Sequence, residues 1–199
     1  MVKIKICGLK RLEDINIVNK YKPDFIGFVF ADSKRKVSPE LASELKRNLA
    51  SDIISVGVFV DASQNEILEL FNKGIIDVAQ LHGCENEEYI SSLKDKTNNK
   101  LRIINAIEMS QGIDLNEYAN TQADYLLLDS GKGSGKTFDW RLIRKDLNKE
   151  FFLAGGLDIS NICQAIEEFK PYAVDLSSSL ETDGYKDENK IREIMGVIR

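Results

Sequence analysis

From one end of the chain to the other, short runs of β-branched and aromatic residues alternate with stretches in which apolar residues recur every three or four positions. The runs are VKIKI (2–6), DFIGFVF (24–30), IISVGVFV (53–60), IDVAQL (76–81), LRIINAI (101–107), DYLLLD (124–129), EFFLAG (150–155) and YAVDL (172–176). Their length and side chains predict strands. Several of the intervening stretches open on readable helix starts. Ser38 stands before Pro39 as an N-cap before proline at the first helical position, and Ser63 to Glu66 has capping-box spacing. Asp139 is placed to cap a helix carrying Trp140, Leu142 and Ile143. Asp187 is placed to open a last helix whose Ile191, Ile194, Met195 and Ile198 share one face. The stretch 109–119 has poor periodicity and predicts only a weak fifth helix.

Eight strand-then-helix units imply parallel strands joined by crossovers, hence an α/β architecture. Two arrangements hold eight units: a closed (β/α)8 TIM barrel, or an open doubly wound sheet. Cys7, Arg35, His82, Asp129, Gly155-Gly156 and Ser177-Ser178 each fall just after a different strand. Only a barrel gathers all those ends on one face, so the expectation is a compact (β/α)8 barrel over residues 1–199, as one domain.

Composition narrows the partners. The 199 residues are 43% hydrophobic and 30% charged, as in ordinary globular proteins. A net charge of −5 argues against nucleic acid or an anionic membrane surface. An anionic substrate must then be held locally, by an arginine, helix N-termini or backbone N–H groups. The cysteines Cys7, Cys84 and Cys163 are odd in number and lack metal-ligand spacing, so neither a disulfide framework nor a zinc site is expected. A cysteine after a strand is commonly a small buried apolar residue, and Cys84 and Cys163 are expected to be buried in that way. MVKIKICG alternates like a strand rather than a signal peptide, and FIGFVFA (25–31) is far too short to span a bilayer. A cytoplasmic location is expected, as a monomer or homodimer with no apolar surface patch to mark an interface.

One segment invites a different reading. LLLDSGKGSGKTFDW (126–140) carries Gly-Lys-Thr after a strand, like a phosphate-binding loop of nucleotide hydrolases. That loop requires a glycine six positions before the glycine-lysine pair ends, and residue 130 is Ser130; starting from Gly131 the loop is one residue short. The nucleotide-binding reading is rejected, leaving Lys136 solvated or near an anion. Asp129, at the strand's end, then has two readings. It is a general acid whose pKa desolvation raises, or it caps the N–H groups of the next loop.

Taken together, KICGL (5–9), GFVFADSKRKVS (27–38), VGVFVD (56–61), QLHG (80–83), LLLDSGKGSGKTFDW (126–140), FLAGGL (152–157) and VDLSSSLE (174–181) resemble the phosphoribosylanthranilate isomerases of tryptophan biosynthesis, in that family's order. The resemblance implies a cofactor-free barrel performing an Amadori rearrangement of N-(5-phosphoribosyl)anthranilate to 1-(2-carboxyphenylamino)-1-deoxyribulose 5-phosphate. By the same resemblance Asp129 is the general acid that opens the sugar ring, and Cys7 is the general base that takes the C2 proton. A thiol whose free pKa is about 8.5 needs a nearby positive charge or helix N-terminus to serve so at neutral pH. Arg35 resembles the arginine that holds the anthranilate carboxylate, its alternative being a solvated loop residue between Lys34 and Lys36. Gly155, Gly156, Ser177 and Ser178 match the barrel phosphate site, mostly through backbone N–H groups. Asp175 is placed to bond ribose hydroxyls or the anthranilate nitrogen, or to cap structurally. His82, the single histidine, is given a positioning role.

The chain departs from the family pattern at Ser179, where glycine is common, at Asp32, where proline is common, and in the short loop between Asp129 and Gly135. These bear on affinity, not on the acid or base. The related histidine-pathway aminoaldose isomerases place an aspartate where this chain has Cys7. A non-catalytic phosphate-binding barrel is the remaining alternative.

Overall fold

A computed structural model of the chain describes residues 1–111, 113–118, 120–130, 139–143 and 147–199. Eight parallel strands close into a barrel in sequence order: β1 (Lys3–Cys7), β2 (Phe25–Val29), β3 (Ile54–Phe59), β4 (Val78–Leu81), β5 (Arg102–Glu108), β6 (Tyr125–Asp129), β7 (Phe151–Leu153) and β8 (Ala173–Leu176). Closure is made by β8 pairing with β1, Lys5 opposite Asp175 and Ile6 opposite Leu176. Every expected strand is present, shifted by no more than a residue or two at its ends.

Alternate side chains of each strand face opposite ways. Ile4 and Ile6 point outward into the shell between strands and helices, where Ile15, Val18, Leu45, Leu70 and Leu93 pack on them and their neighbours. The inward set includes Phe25, Val56, Val78, Ile104, Tyr125, Leu127 and Phe152, which fill the barrel's interior. Above them Cys7, Val29 and Val58 form a smaller cluster near the carboxyl ends of the strands. The barrel is therefore a packed core with one open end, not a pore.

Helices α1 (Leu12–Tyr21), α2 (Pro39–Arg47), α3 (Gln64–Asn72), α4 (Glu87–Lys96), α5 (Ile162–Phe169) and α6 (Glu188–Ile198) cover the outside. Ser38 accepts from the Leu41 N–H with Pro39 at the first helical position, and Ser63 accepts from the Glu66 N–H. Asp187 caps α6 by accepting from the N–H groups of Asn189 and Lys190. Two expected helices are not α-helices among the described residues. Leu115–Tyr118 forms a single 3-10 turn, in keeping with its poor periodicity. Asp139 caps as expected, accepting from the Arg141 N–H, but what it caps is the short 3-10 turn Trp140–Leu142. The Gly-Lys-Thr segment, including Lys136, lies outside the described residues.

One element was not anticipated. After β8 a 3-10 turn (Ser178–Leu180) leads into a small antiparallel hairpin, β9 (Glu181–Thr182) and β10 (Tyr185–Lys186). It lies on the route from the barrel mouth to α6 and carries two charged residues that reach back toward that mouth.

Among the described residues no helix is long and apolar enough to cross a membrane. All three cysteines are free, but Cys84 and Cys163 are exposed rather than buried. Cys84 lies in the loop after β4 and Cys163 in the first turn of α5 on its outer side, so neither position turns inward to the core.

Candidate active site

The carboxyl ends of the strands bring the inward-facing polar residues together. β1 contributes Lys5 and Cys7, β4 carries Gln80 and leads into His82, β6 ends in Asp129, and β8 carries Asp175. Each follows from the same alternation that places apolar residues deeper on those strands.

Cys7 is 8% exposed, directly opposite Gly27 in the β1–β2 pairing. A Cβ on Gly27 would stand 2.6 Å from the Cys7 sulfur, so the glycine leaves the space the thiol occupies. Burial raises the thiol's pKa above its ordinary value; Lys5 pulls it down, Asp175 pushes it up and Lys186 pulls it down again. Burial prevails, so the thiol's pKa stays above its ordinary value although the Lys5 and Lys186 charges oppose it.

Of the two readings of Asp129, the capping contact is present in the structure. One carboxylate oxygen, Oδ1, accepts from the Ser130 N–H at 2.8 Å and so caps the loop. The other, Oδ2, faces His82 Nε2 at 3.4 Å, with the Asp129 side chain 13% exposed. His82 Nδ1 lies 3.1 Å from Gln80 Nε2. Both contacts are satisfied when His82 accepts from Gln80 at Nδ1 and carries its proton on Nε2, toward Asp129. The Gln80–His82–Asp129 chain thus orients the imidazole against the Asp129 carboxylate.

Asp175 lies between the two proposed proton carriers. Its Oδ2 accepts from Lys5 Nζ at 2.7 Å, and its charge is felt by Cys7 on one side and Asp129 on the other. Its Oδ1 is buried without a hydrogen-bond partner among the described residues, as is Gln80 Oε1.

Arg35 is not a solvated loop residue. Its guanidinium forms a two-pronged pair with Glu181, Nε to Oε1 and Nη2 to Oε2, both at 2.7 Å. Its side chain lies over Gly8, where an added Cβ would meet Arg35 Cδ at 2.4 Å. The same Glu181 Oε1 also accepts from Lys186 Nζ at 2.8 Å, and Lys186 donates to the Ser177 carbonyl at 3.0 Å. Burial alone would raise the Glu181 pKa; hydrogen bonds from Arg35 and Lys186, with their charges, outweigh it and bring it down to about 2. Ser177 Oγ in turn donates to the Cys7 carbonyl at 3.1 Å, tying the hairpin region to β1.

Gly155 and Gly156 both have positive φ, 79° and 66°, in the turn after β7. Asn161, at the start of α5, braces that turn by donating to the Gly156 carbonyl and accepting from the Asp158 N–H. Ser177 and Ser178 lead into the neighbouring 3-10 turn, so the two expected phosphate-loop segments come from adjacent strands. Ser179 Oγ is buried there without a partner among the described residues.

The buried Lys5 and Lys186 and the partly buried Glu181 were missed in the sequence. Lys5 alternates inward with Cys7 on β1, a signal that was legible; Glu181 and Lys186 depend on a hairpin that no apolar periodicity announces. Among the described residues no group of three or more His, Cys, Asp or Glu could hold a metal ion.

Fold and mouth together define the class: a parallel α/β barrel whose ionisable residues converge on the strand ends where barrel enzymes work. The model for N-(5'-phosphoribosyl)anthranilate (PRA) isomerase matches residues 4–197, and the chain belongs to that family. It is 46% identical to the N-(5'-phosphoribosyl)anthranilate isomerase of Endomicrobium trichonymphae, over 100% of this chain and 99% of that one. Among solved structures, the phosphoribosyl anthranilate isomerase of Thermus thermophilus superposes with a TM-score of 0.88 at 30% identity, covering 99% of this chain and 98% of that one. An isomerase solved in complex with reduced 1-(o-carboxyphenylamino)-1-deoxyribulose 5-phosphate superposes at 0.85 and 34% identity, covering 98% and 97%.

Proposed function

We propose that the barrel mouth performs the family's Amadori rearrangement with Asp129 as general acid and Cys7 as general base. Asp129 protonates the furanose ring oxygen of N-(5-phosphoribosyl)anthranilate, opening the ring to a Schiff base. Cys7 as thiolate then takes the C2 proton, and the resulting enolamine tautomerises to the 1-deoxyribulose ketone. No step requires a covalent bond to the protein, so the thiol works as a base and not as a nucleophile.

The observation that carries this reading is the place of Asp175. β1 and β6 stand three strands apart around the ring, and Asp175 on β8 interacts with the Cys7 sulfur and the Asp129 carboxylate alike. A substrate seated over Asp175 meets the acid on one side and the base on the other. The buried Asp175 Oδ1 remains an acceptor for a sugar hydroxyl or the anthranilate nitrogen.

Arg35 keeps Nη1 outside its pair with Glu181, so the guanidinium can hold Glu181 with one edge and a substrate carboxylate with another. The phosphate is assigned to Gly155, Gly156, Ser177 and Ser178. A role in tryptophan biosynthesis supports a cytoplasmic location.

The test is a fluorescence assay with freshly prepared phosphoribosylanthranilate, joined to thermal denaturation with the reduced product analogue. Turnover is expected, with a rise in Tm that grows with analogue concentration. An ATP-dependent rise in Tm with no response to the analogue would defeat the reading in favour of a nucleotide binder.

A further inference from the structure

Lys5 is wholly buried on the barrel axis, two residues before Cys7 on β1 and therefore on the same inner side. In the β1–β8 pairing it stands opposite Asp175, which fixes its ammonium at 2.7 Å. A buried lysine–carboxylate pair is not needed to hold a barrel together, because well-packed apolar residues of similar volume serve as well or better. Nothing in the mechanism above employs Lys5. Its position has one evident consequence, which is to put a fixed positive charge under the proposed base.

We propose that Lys5 is a positioning residue for the proton-abstraction step: its ammonium, pinned beneath Cys7 by Asp175, is the counter-charge that lets the Cys7 sulfur stand as a thiolate in a buried site. The inference rests on the reading of Cys7 as the base. The proton taken from C2 goes to sulfur, so the thiolate becomes a neutral thiol while the Lys5–Asp175 pair keeps its own charges. Lys5 thus steadies the reactant form of the base and need not move or exchange a proton.

The charged groups facing Cys7 come from four places. Lys5 lies below on β1, Asp175 beside it on β8, Lys186 on β10, and Arg35 in the segment after β2. Lys186 and Arg35 share Glu181, which divides its charge between them. Lys5 shares Asp175, whose own pKa burial raises, with Lys5 drawing it back. Burial by itself would lower the Lys5 pKa, but Asp175 and then Cys7 outweigh it, so Lys5 stays charged. Of the cations around the sulfur, Lys5 acts on it most strongly.

The experiment reads the thiol directly. In a Cys84→Ser/Cys163→Ser background, which removes the two exposed cysteines, the ultraviolet thiolate absorbance of Cys7 is titrated with Lys5 and with Lys5→Gln. Single-turnover rates are followed over the same pH range. The Lys5→Gln protein is expected to titrate at higher pH, with ~10-fold or more less thiolate at neutral pH. Its rate should fall in parallel and recover as pH rises. A Cys7 titration that does not move would overturn the proposal whatever happens to the rate, since a purely structural role lowers activity without touching the thiol. Should Lys5→Gln fail to fold, Lys5→Met/Asp175→Asn removes both charges together and is expected to move the titration the same way; an unmoved curve there overturns it too. If Cys7→Ala turns over normally, the assignment of the base fails, while the titration still reports on Lys5.

Discussion

At the amino-terminal ends of the strands the barrel is stopped by rings. Phe25 and Phe152 meet edge to face at 5.3 Å, Tyr125 and Tyr172 stack at 4.8 Å, and the Lys3 ammonium lies 4.9 Å over the Tyr172 ring. At the carboxyl-terminal ends the same barrel holds Lys5, Asp175, Glu181 and Lys186 in two lysine–carboxylate pairs, the lysines buried and the carboxylates partly so. The floor gains from each apolar area it hides and from ring geometry, about 0.5–1.5 kcal/mol per aromatic pair beyond burial. The mouth gains little net stability from its ion pairs, because desolvating each charge offsets most of the attraction. One end is built for folding, and the other holds charge where chemistry can use it. Substitutions at the two ends should therefore separate stability from catalysis.

The largest separation is expected at the proton carriers. General acids and bases supply 10²–10⁴ in rate, or about 3–5 kcal/mol of barrier. Asp129→Asn and Cys7→Ala should each lower the single-turnover rate at least ~10²-fold with Tm nearly unchanged. Asparagine keeps an oxygen for the Ser130 N–H, so the loop cap survives in that variant. A near-normal single-turnover rate in either would remove that residue from the mechanism. At the floor the result should invert: Phe152→Ala is expected to lose about 3–5 kcal/mol in denaturant unfolding while kcat per folded molecule stays the same. Should Phe152→Ala leave stability intact but lower kcat, the division between the two ends is wrong.

The two ends were also unequally legible in the sequence. Floor and strands are written in local apolar runs such as DFIGFVF and DYLLLD, and all eight strands form where those runs lie. Helix caps at Ser38, Ser63 and Asp187 could be read because a cap is a contact between near neighbours. At the mouth the convergence of strand-end residues was readable from the pattern, while the roles expected of them came from motif resemblance. Nothing local reveals that Arg35 reaches Glu181 across 146 positions, or that Lys5 meets Asp175 across 170. Those pairings follow from barrel closure, which is a global property. The exposure of Cys84 and Cys163 makes the same point, since a general tendency of cysteine to be buried does not decide which face of a loop or helix it takes.

An intermediate effect is expected where the mouth is held together rather than where it reacts. Glu181→Gln removes the charge shared by Arg35 and Lys186, so Arg35 should lose its fixed orientation. KM should rise roughly 10-fold, about 1.4 kcal/mol, with a smaller change in kcat. The same residue predicts an acid-dependent loss of stability. Its folded pKa of about 2 lies below the ordinary 4.5, so its contribution is fully present above 4.5 and disappears as pH falls toward 2. At most about 3 kcal/mol is involved, and solvent screening reduces it. Urea unfolding between those pH values should show the slope in the parent and a shallower one in Glu181→Gln. Equal slopes would mean that the pairing with Arg35 and Lys186 does not persist in solution.

The smallest effect belongs to the polar contacts of Tyr125 at the floor. Tyr125 Oη lies 3.3 Å from Tyr172 Oη and 3.4 Å from Arg102 Nη1, both at the long end for hydrogen bonds. Burial, followed by the Tyr172 hydroxyl, raises the Tyr125 pKa, so the phenol is neutral at working pH and adds no charge to the floor. Tyr125→Phe keeps the ring and its stacking while deleting two weak contacts. The expected loss is no more than about 1 kcal/mol in unfolding free energy, with kcat and KM unchanged. A loss as large as that of Phe152→Ala would show that the floor is held by its hydroxyls rather than its rings, and the contrast with the charged mouth would have to be redrawn.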